Sequence, residues 1–159
     1  MDHPLTHLDA RGHARMVDVT EKTPTVRSAT ATGRVVTSAE TVALLRDGAV
    51  PKGDVLAVAR VAGIQAAKRT PELLPLAHVI GVHGAAVDLT ITDTGVDITA
   101  TVRTADRTGV EMEALTSATV AALTVIDMVK GRDRSAHVAD VRLLEKTGGR
   151  SGTWTREEP

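Results

Sequence analysis

The sequence predicts an α+β domain in which helices cover one face of an antiparallel sheet. Two observations carry this prediction. Apolar and polar residues alternate over residues 87–91 and 96–102, which is typical of half-buried strands. Helix-forming stretches with apolar residues at helical spacing lie before and after this pair, and further strand-like segments lie outside them. Strands grouped with helices in this way favour one sheet with the helices on one side.

The N-terminal half is expected to contain one strand and two helices. Small and β-branched residues from Val26 to Val36 predict the strand. Thr37-Ser38-Ala39-Glu40 has the form of a capping box and predicts a short helix. Asp54 is a suitable N-cap for a longer helix that ends before Pro71. Residues 71–84, which contain Pro, Gly and His, predict an irregular segment.

The C-terminal half is expected to begin with a β-hairpin that turns at Asp93-Thr94-Gly95. Thr108-Gly109-Val110-Glu111 has the form of a second capping box and predicts a long helix to about Lys130. The segment from Val138 to Leu144 predicts the last strand. The order is then βαββαβ, the arrangement of ferredoxin-like domains. The second face of the sheet, which carries threonines in the hairpin, is expected to meet either solvent or a partner subunit.

Length and composition bound the architecture further. A chain of 159 residues suits one domain. We expect a mobile N-terminal arm over residues 1–14, a single catalytic domain over residues 15–152 and a C-terminal tail over residues 153–159. Because the chain has no Cys, disulfides, thiolate metal sites and a cysteine nucleophile are excluded. His residues are not accompanied by carboxylates at ligand spacing, so no metal is expected.

Charge and aromatic content argue against two kinds of partner. The 19 Lys and Arg residues balance 20 Asp and Glu residues, so no overall field attracts DNA or an anionic membrane. With one Trp and no Phe or Tyr, the chain lacks the aromatic platforms on which single-stranded nucleic acids stack. No uninterrupted apolar run reaches about 18 residues, and the start of the chain lacks the apolar core of a signal peptide. These features predict a cytoplasmic protein without nucleic-acid or membrane partners.

Four acidic and basic residues of the long helix are candidates for chemistry. Asp127 and Lys130 lie three residues apart, so they share a helix face. They form either a surface ion pair or an acid–base couple. Glu111 and Glu113 point about 200° apart around the helix, so one of them faces inward or toward a subunit interface.

Three further features allow both a structural and a functional interpretation. Lys52 is either a solvated loop lysine or a functional cation. His78 is either a buried histidine with its polar atoms satisfied or a binding residue. Lys146 and Arg150 flank the pair Gly148-Gly149, which forms either a flexible basic turn or an anion site.

These residues belong to a longer pattern that runs over nearly the whole chain. Its most specific stretch is Thr108-Gly109-Val110-Glu111-Met112-Glu113-Ala114-Leu115-Thr116. The other stretches are Leu5-Thr6-His7, Met16-Val17-Asp18-Val19, Lys52-Gly53-Asp54-Val55, Ala62-Gly63-Ile64-Gln65-Ala66-Ala67-Lys68-Arg69-Thr70, Asp127-Met128-Val129-Lys130 and Val141-Arg142-Leu143-Leu144-Glu145-Lys146-Thr147-Gly148-Gly149. In this pattern the chain resembles the cyclic pyranopterin monophosphate synthase family, the MoaC type, of molybdenum cofactor biosynthesis.

The resemblance implies a ferredoxin-like lyase. Members of this family convert 3′,8-cyclo-7,8-dihydro-GTP into cyclic pyranopterin monophosphate with release of pyrophosphate, and the reaction implies no redox cofactor. The resemblance further implies a homohexamer, built as a trimer of dimers, with the site at the dimer interface.

The resemblance also transfers the family's site to numbered positions of this chain. Asp127 matches the presumed acid–base residue, and Lys52 and Lys130 match catalytic lysines. The matched substrate-binding positions are Leu76, Ala77, His78, Glu111, Met112, Glu113 and Lys146.

One segment departs from the family pattern. Where the family usually has Pro-Leu-Cys-His-Pro, this chain has Pro75-Leu76-Ala77-His78-Val79, without the thiol and the second proline. The departure supports an alternative, a ferredoxin-like ligand-binding or regulatory module that has lost the chemistry. The presence of Asp127 and of the matched lysines favours the enzyme.

Overall fold

The computed structural model describes residues 7–157, so the first six residues of the predicted arm lie outside the described residues. The elements of the described chain are β1 (Thr25–Val36), α1 (Ala39–Arg46), α2 (Val55–Lys68), α3 (Thr70–Leu73), β2 (Gly84–Ile91), β3 (Gly95–Asp106), α4 (Glu111–Val129), β4 (His137–Thr147) and β5 (Trp154–Thr155).

The strands form one antiparallel sheet in the order β2-β3-β1-β4-β5. The two central strands pair along their whole length, from Thr25 opposite Asp106 to Val36 opposite Gly95. The pairing of β1 with β4 is interrupted by two register shifts, which bend the strand locally. The antiparallel sheet with its helices confirms the predicted α+β, ferredoxin-like fold.

Helices α2 and α4 pack against each other and against one face of the sheet. Their contact is close at Gly63, where a Cβ atom would lie 3.1 Å from the carbonyl oxygen of Ser117. A side chain at this position would require the neighbouring atoms to shift by a few tenths of an ångström. The core consists of Val, Ala, Leu, Ile and Met side chains from both layers, as the absence of Phe and Tyr requires.

Helix α4 is long and apolar enough to cross a membrane by length and composition, and half of that window is buried inside the domain. Its buried side chains face the sheet and α2, and they include Ala114, Ala118 and Val125. The helix is therefore the core helix of this fold.

The first predicted capping box is shifted by one residue. Ser38, and not Thr37, is the N-cap of α1, and its hydroxyl accepts a bond from the Thr41 amide. Thr37 instead donates its hydroxyl to the buried carboxylate of Asp133 at 2.7 Å, and the Ser38 amide donates to the same oxygen at 2.8 Å. Hydrogen bonds from Ser135, Thr37 and Ser38 hold the pKa of Asp133 far below its usual range. This carboxylate fastens the start of α1 to the turn after α4.

The second predicted capping box is absent, because α4 begins at Glu111 itself. Its N-cap is Val110, and no side chain caps the first turn. The Glu111 carboxylate folds back over Gly109, where a Cβ atom would collide with it. Glu111 occupies the first helical position, N1, whereas the glutamate of a capping box occupies N3.

Two short elements were not expected from the sequence. Helix α3 forms at the start of the segment predicted to be irregular, where the Thr70 hydroxyl donates to the carbonyl of Ala66 at 3.2 Å and Pro71 suits a helix start. In the predicted tail, Trp154 pairs with Lys146 of β4, and Arg156 lies 5.5 Å from the indole ring. The end of the described chain thus extends the sheet by one strand.

The sheet face away from α2 and α4 carries polar side chains that are exposed or half-buried. Thr30 and Thr101 share a hydrogen bond of 3.0 Å across the central strands. Arg34 forms an ion pair with Asp97 at 2.8 Å, and Arg142 pairs with Asp140 at 2.6 Å. Positive and negative groups therefore alternate over an open surface.

Candidate active site

A cavity of about 410 Å³ lies at the N-terminal end of α4. The two segments predicted to bind substrate both line it, although more than thirty residues separate them in the sequence. These lining residues are Leu76, Ala77, His78, Glu111, Met112 and Glu113. Val17 and Val19, from the segment before β1, form another wall.

His78 is half-buried in the wall of this cavity. Its Nε2 atom lies 2.5 Å from the carbonyl oxygen of Val17. Because a carbonyl oxygen only accepts, Nε2 carries a proton and donates it to Val17, which leaves Nδ1 for other contacts. The ring therefore holds the Val17 segment in place and also faces the cavity.

Glu113 is the inward-facing member of the glutamate pair. Its side chain is only 3% exposed, and burial raises the pKa of its carboxyl to about 7. The neighbouring charge of Glu111 raises the pKa further, whereas a backbone hydrogen bond lowers it. Near neutral pH both protonation states of Glu113 are populated, so this carboxyl can give or take a proton.

A second cluster lies at the C-terminal end of α4. The Asp127 carboxylate stands between two lysines, 2.7 Å from Lys130 Nζ and 3.3 Å from Lys52 Nζ. Lys52 also donates to the backbone carbonyl of Asp127 at 2.8 Å. All three side chains are about half exposed. Hydrogen bonds from Lys130 and then from Lys52 lower the pKa of Asp127, so the carboxylate is ionised at neutral pH.

The local sequence explains how Lys52 reaches this cluster. Gly53 follows with a φ of 105°, a conformation that favours glycine. Asp54 then caps α2, accepting a hydrogen bond from the Ala57 amide at 3.0 Å. Since α2 packs against α4 and Lys52 touches the last turn of α4, the start of one helix lies beside the end of the other.

The two clusters are far apart within one chain. Glu113 and Asp127 stand at opposite ends of α4, which places them roughly 21 Å apart along the helix axis. Lys146 occupies a third place near the end of β4, where its ammonium group donates to the Ser151 hydroxyl. The structure therefore brings six of the ten predicted residues into one cavity and three into another cluster.

The cavity also contains residues that were not among the predicted site residues: His7, Lys22, Thr108 and Gly109. Lys22 belongs to no motif, and the segment before β1 shows no periodicity that could reveal its place. Trp154, the only Trp of the chain, is not among the lining residues. Over residues 7–157, no group of three or more His, Asp or Glu side chains is arranged to hold a metal ion.

The fold and the two clusters define a class of protein. A ferredoxin-like domain with a desolvated carboxyl in a cavity, and with a carboxylate between two lysines, is equipped for acid–base chemistry on a small molecule. The MoaC family pattern matches residues 16–149. The chain belongs to the MoaC family.

Relatives with about 60% identity to this chain are named as cyclic pyranopterin monophosphate synthases. The chain is 60% identical over 152 residues to the cyclic pyranopterin monophosphate synthase of Streptomyces coelicolor, covering 96% of this chain and 89% of the relative. It is 60% identical over 155 residues to that of a Nocardioides species, covering 96% and 95%. It is 58% identical over 152 residues to cyclic pyranopterin monophosphate synthase 2 of Mycobacterium tuberculosis, covering 96% and 91%.

Proposed function

We propose that this protein is a cyclic pyranopterin monophosphate synthase of molybdenum cofactor biosynthesis. Its substrate is 3′,8-cyclo-7,8-dihydro-GTP, and its products are cyclic pyranopterin monophosphate and pyrophosphate. The observation that carries the proposal is the identity of about 60% with proteins of that name over nearly the whole chain. The cavity and the lysine–aspartate cluster supply groups that suit this reaction.

The cavity at the start of α4 binds the ring system. A guanine- or pterin-like ring offers N–H donors to a carboxylate, and Glu113 lies in the cavity wall with a pKa of about 7. His78 offers Nδ1 for contact with the ring system because its Nε2 donates to the carbonyl of Val17. The lining contains no Phe, Tyr or Trp, so recognition depends on polar contacts, with Leu76 and Met112 as the apolar wall.

The cluster at the end of α4 moves protons. Opening and closing of rings requires a base and an acid within reach of the reacting atoms. Asp127 is ionised and serves as the base or orients its neighbours, whereas Lys52 or Lys130 donates a proton. The same ammonium groups, together with Lys146, stabilise negative charge on the phosphates.

The chemistry is that of a phosphorus–oxygen lyase. A ribose hydroxyl oxygen attacks the α-phosphorus, the bond between that phosphorus and the bridging oxygen breaks, and the bond electrons leave with pyrophosphate. The hydroxyl proton passes to a base of the site. No oxidant or reductant enters this balance, so we expect no cofactor.

We further propose that a complete site needs two protomers. The Glu113 cavity and the Asp127 cluster cannot touch one small substrate from ends of α4 that lie roughly 21 Å apart. A partner subunit completes the site by placing the C-terminal end of its own α4, with the Asp127 cluster, beside this cavity. The open polar sheet face, where Arg34 pairs with Asp97 and Arg142 with Asp140 within the chain, offers a surface for contact with a rotated copy. We propose a cytoplasmic homohexamer, a trimer of dimers.

The direct test is turnover by the purified protein. With 3′,8-cyclo-7,8-dihydro-GTP as substrate, we expect release of one pyrophosphate for each cyclic pyranopterin formed. A folded protein that binds the substrate without turning it over would contradict the proposal. That outcome would favour the ligand-binding module suggested by Ala77 and Val79. Size measurement in solution should show an oligomer, and a clean monomer would contradict the two-protomer site.

A further inference from the structure

The segment between His78 and β2 is attached to the end of β3 at Gly81. The Gly81 amide donates to the Asp106 carboxylate at 3.3 Å, and its carbonyl oxygen accepts the Thr104 hydroxyl at 2.5 Å. Thr104 and Asp106 are among the last three residues of β3. Both polar backbone groups of one residue are therefore bonded to side chains from one strand end. These two hydrogen bonds are called the Gly81 anchor below.

Both partners of Gly81 are themselves held in place. Thr104 is only 2% exposed, so its side chain is packed inside the fold. The second carboxylate oxygen of Asp106 accepts the Arg107 amide at 2.7 Å. Hydrogen bonds from the amides of Arg107 and then of Gly81 lower the pKa of Asp106, so this carboxylate is charged near neutral pH. The anchor thus combines a charge-assisted hydrogen bond with a hydrogen bond from a buried hydroxyl.

The residues around Gly81 explain why the attachment uses its backbone. Ile80 and Val82 are half-buried and pack against the core. A Cβ atom on Gly81 would lie 3.0 Å from Cε1 of His83, so the imidazole ring occupies the space of a side chain. Val79 is 88% exposed, so burial of its side chain does not fix the backbone directly after the cavity wall.

The anchor joins two walls of the cavity at the start of α4. His78 lies three residues before Gly81, and Thr108 lies two residues after Asp106. Both His78 and Thr108 line the cavity, and the chain after Thr108 continues into α4, which carries Glu113. Because three residues of chain span at most about 11 Å, the anchor limits how far the two walls can separate.

We propose that Thr104 and Asp106 are positioning residues for substrate binding, because through Gly81 they hold the His78 wall at a fixed distance from α4. Neither residue is among the described residues that line the cavity, so both act through the backbone of residues 78–81. The identity of the ligand rests on the proposed function, whereas the anchor rests on the two bonds to Gly81. Since the proposed proton transfers belong to the Asp127 cluster, loss of the anchor weakens binding and leaves the chemical step nearly unchanged.

Steady-state kinetics of the purified full chain separate KM from kcat. Thr104→Val keeps the shape of the side chain and removes its hydroxyl, and Asp106→Ala removes a half-buried carboxylate at the other bond of the anchor. For 3′,8-cyclo-7,8-dihydro-GTP we expect each substitution to raise KM about fivefold and to leave kcat within about twofold. Thr92→Val is the matched control, because it removes a hydroxyl that accepts the Thr94 amide at 3.3 Å at the other end of the same hairpin. Its KM should equal that of the wild type.

Hydrogen exchange measured by mass spectrometry gives a second readout that does not depend on turnover. In Thr104→Val and in Asp106→Ala, deuterium uptake over residues 76–83 should be several times faster than in the wild type. Uptake over residues 127–133 should not change. Unchanged KM in both variants, a fall in kcat with KM unchanged, an equal rise of KM in Thr92→Val, or unchanged uptake over residues 76–83 would each overturn the inference.

Turnover by the wild type separates this role from the proposed reaction. A wild type that turns over its substrate with a KM insensitive to both substitutions refutes only the positioning role. If the wild type shows no turnover, calorimetric titration with the same compound replaces KM. Affinity that falls about fivefold in both variants then supports the positioning role, although the proposed reaction is refuted.

Discussion

The two ends of α4 shift the pKa of a carboxyl group in opposite directions. At the start of the helix, burial removes water from Glu113 and raises its pKa to about 7. At the end of the helix, Asp127 stays exposed between Lys130 and Lys52, which lower its pKa. One helix thus carries a carboxyl that exchanges protons near neutrality and a carboxylate that remains charged. The difference shows that the surroundings of a carboxyl group, more than its residue type, set its protonation state near neutral pH.

The largest effect is expected at the exposed end. Asp127→Asn removes the charge that holds Lys52 and Lys130 together, and turnover should fall by about two to four orders of magnitude. Thermal unfolding should change little, because the carboxylate is exposed. Pyrophosphate release measures the rate. Asp93→Asn is the matched control, since it removes an exposed carboxylate paired with Arg46 at 2.6 Å. An Asp127→Asn variant near the wild-type rate would remove this residue from the mechanism.

Helices α2 and α4 are closely packed at Gly63, between the two ends of α4. Gly63→Val would press methyl groups against Val87 and the Ser117 backbone, and we expect it to lower the free energy of unfolding by about 3 kcal/mol. Gly131→Val, at a glycine with open space around it, should change stability by less than about 0.5 kcal/mol. Urea denaturation gives both values. Equal effects of the two substitutions would contradict the close helix contact.

The smallest effect concerns the buried end and depends on pH. Folding raises the pKa of Glu113 from 4.5 to about 7, so the folded state keeps a proton that the unfolded chain has lost. Native stability therefore falls as pH rises through this range. Glu113→Gln cannot ionise, and above pH 7 it should be more stable than the wild type by about 1–2 kcal/mol.

The stability difference should vanish near pH 4, where the wild-type carboxyl is protonated in both states. Urea unfolding across this pH range measures it. Glu40→Gln, which changes an exposed glutamate in the first turn of α1, should show no such pH dependence. A Glu113→Gln variant whose stability parallels the wild type at every pH would show that Glu113 is solvated.

Much of the fold was accessible from the sequence, because periodicity and capping are local signals. The hairpin, the Asp54 cap and the pairing of Asp127 with Lys130 all depend on residues close in the chain. The first capping box was wrong because the Thr37 hydroxyl bonds to Asp133, which lies 96 residues away. A hydrogen-bond partner so far away in the chain cannot be recognised from the local sequence.

The candidate site was accessible only in part. Spacing predicted that one of Glu111 and Glu113 faces inward or toward a subunit interface, and the structure shows that Glu113 is the buried one. The predicted long helix already placed Glu113 near its start and Asp127 near its end, yet no sequence signal showed that His78 lies beside Glu113 or that Lys52 lies beside Asp127. Arg27 meets the Gly148-Gly149 turn only because the neighbouring Ser28 of β1 pairs with Thr147 at the end of β4, a contact between segments far apart in the sequence.

Complementation between variants tests the two-protomer site most directly. Co-expression of Glu113→Gln and Asp127→Asn chains, carrying different affinity tags, gives mixed oligomers that can be purified through both tags. If each site takes its cavity from one protomer and its Asp127 cluster from another, a dimer of the two variants contains one intact site. Random assembly should then recover about a quarter of the wild-type turnover from two inactive parents. Mixed oligomers as inactive as their parents would contradict the account.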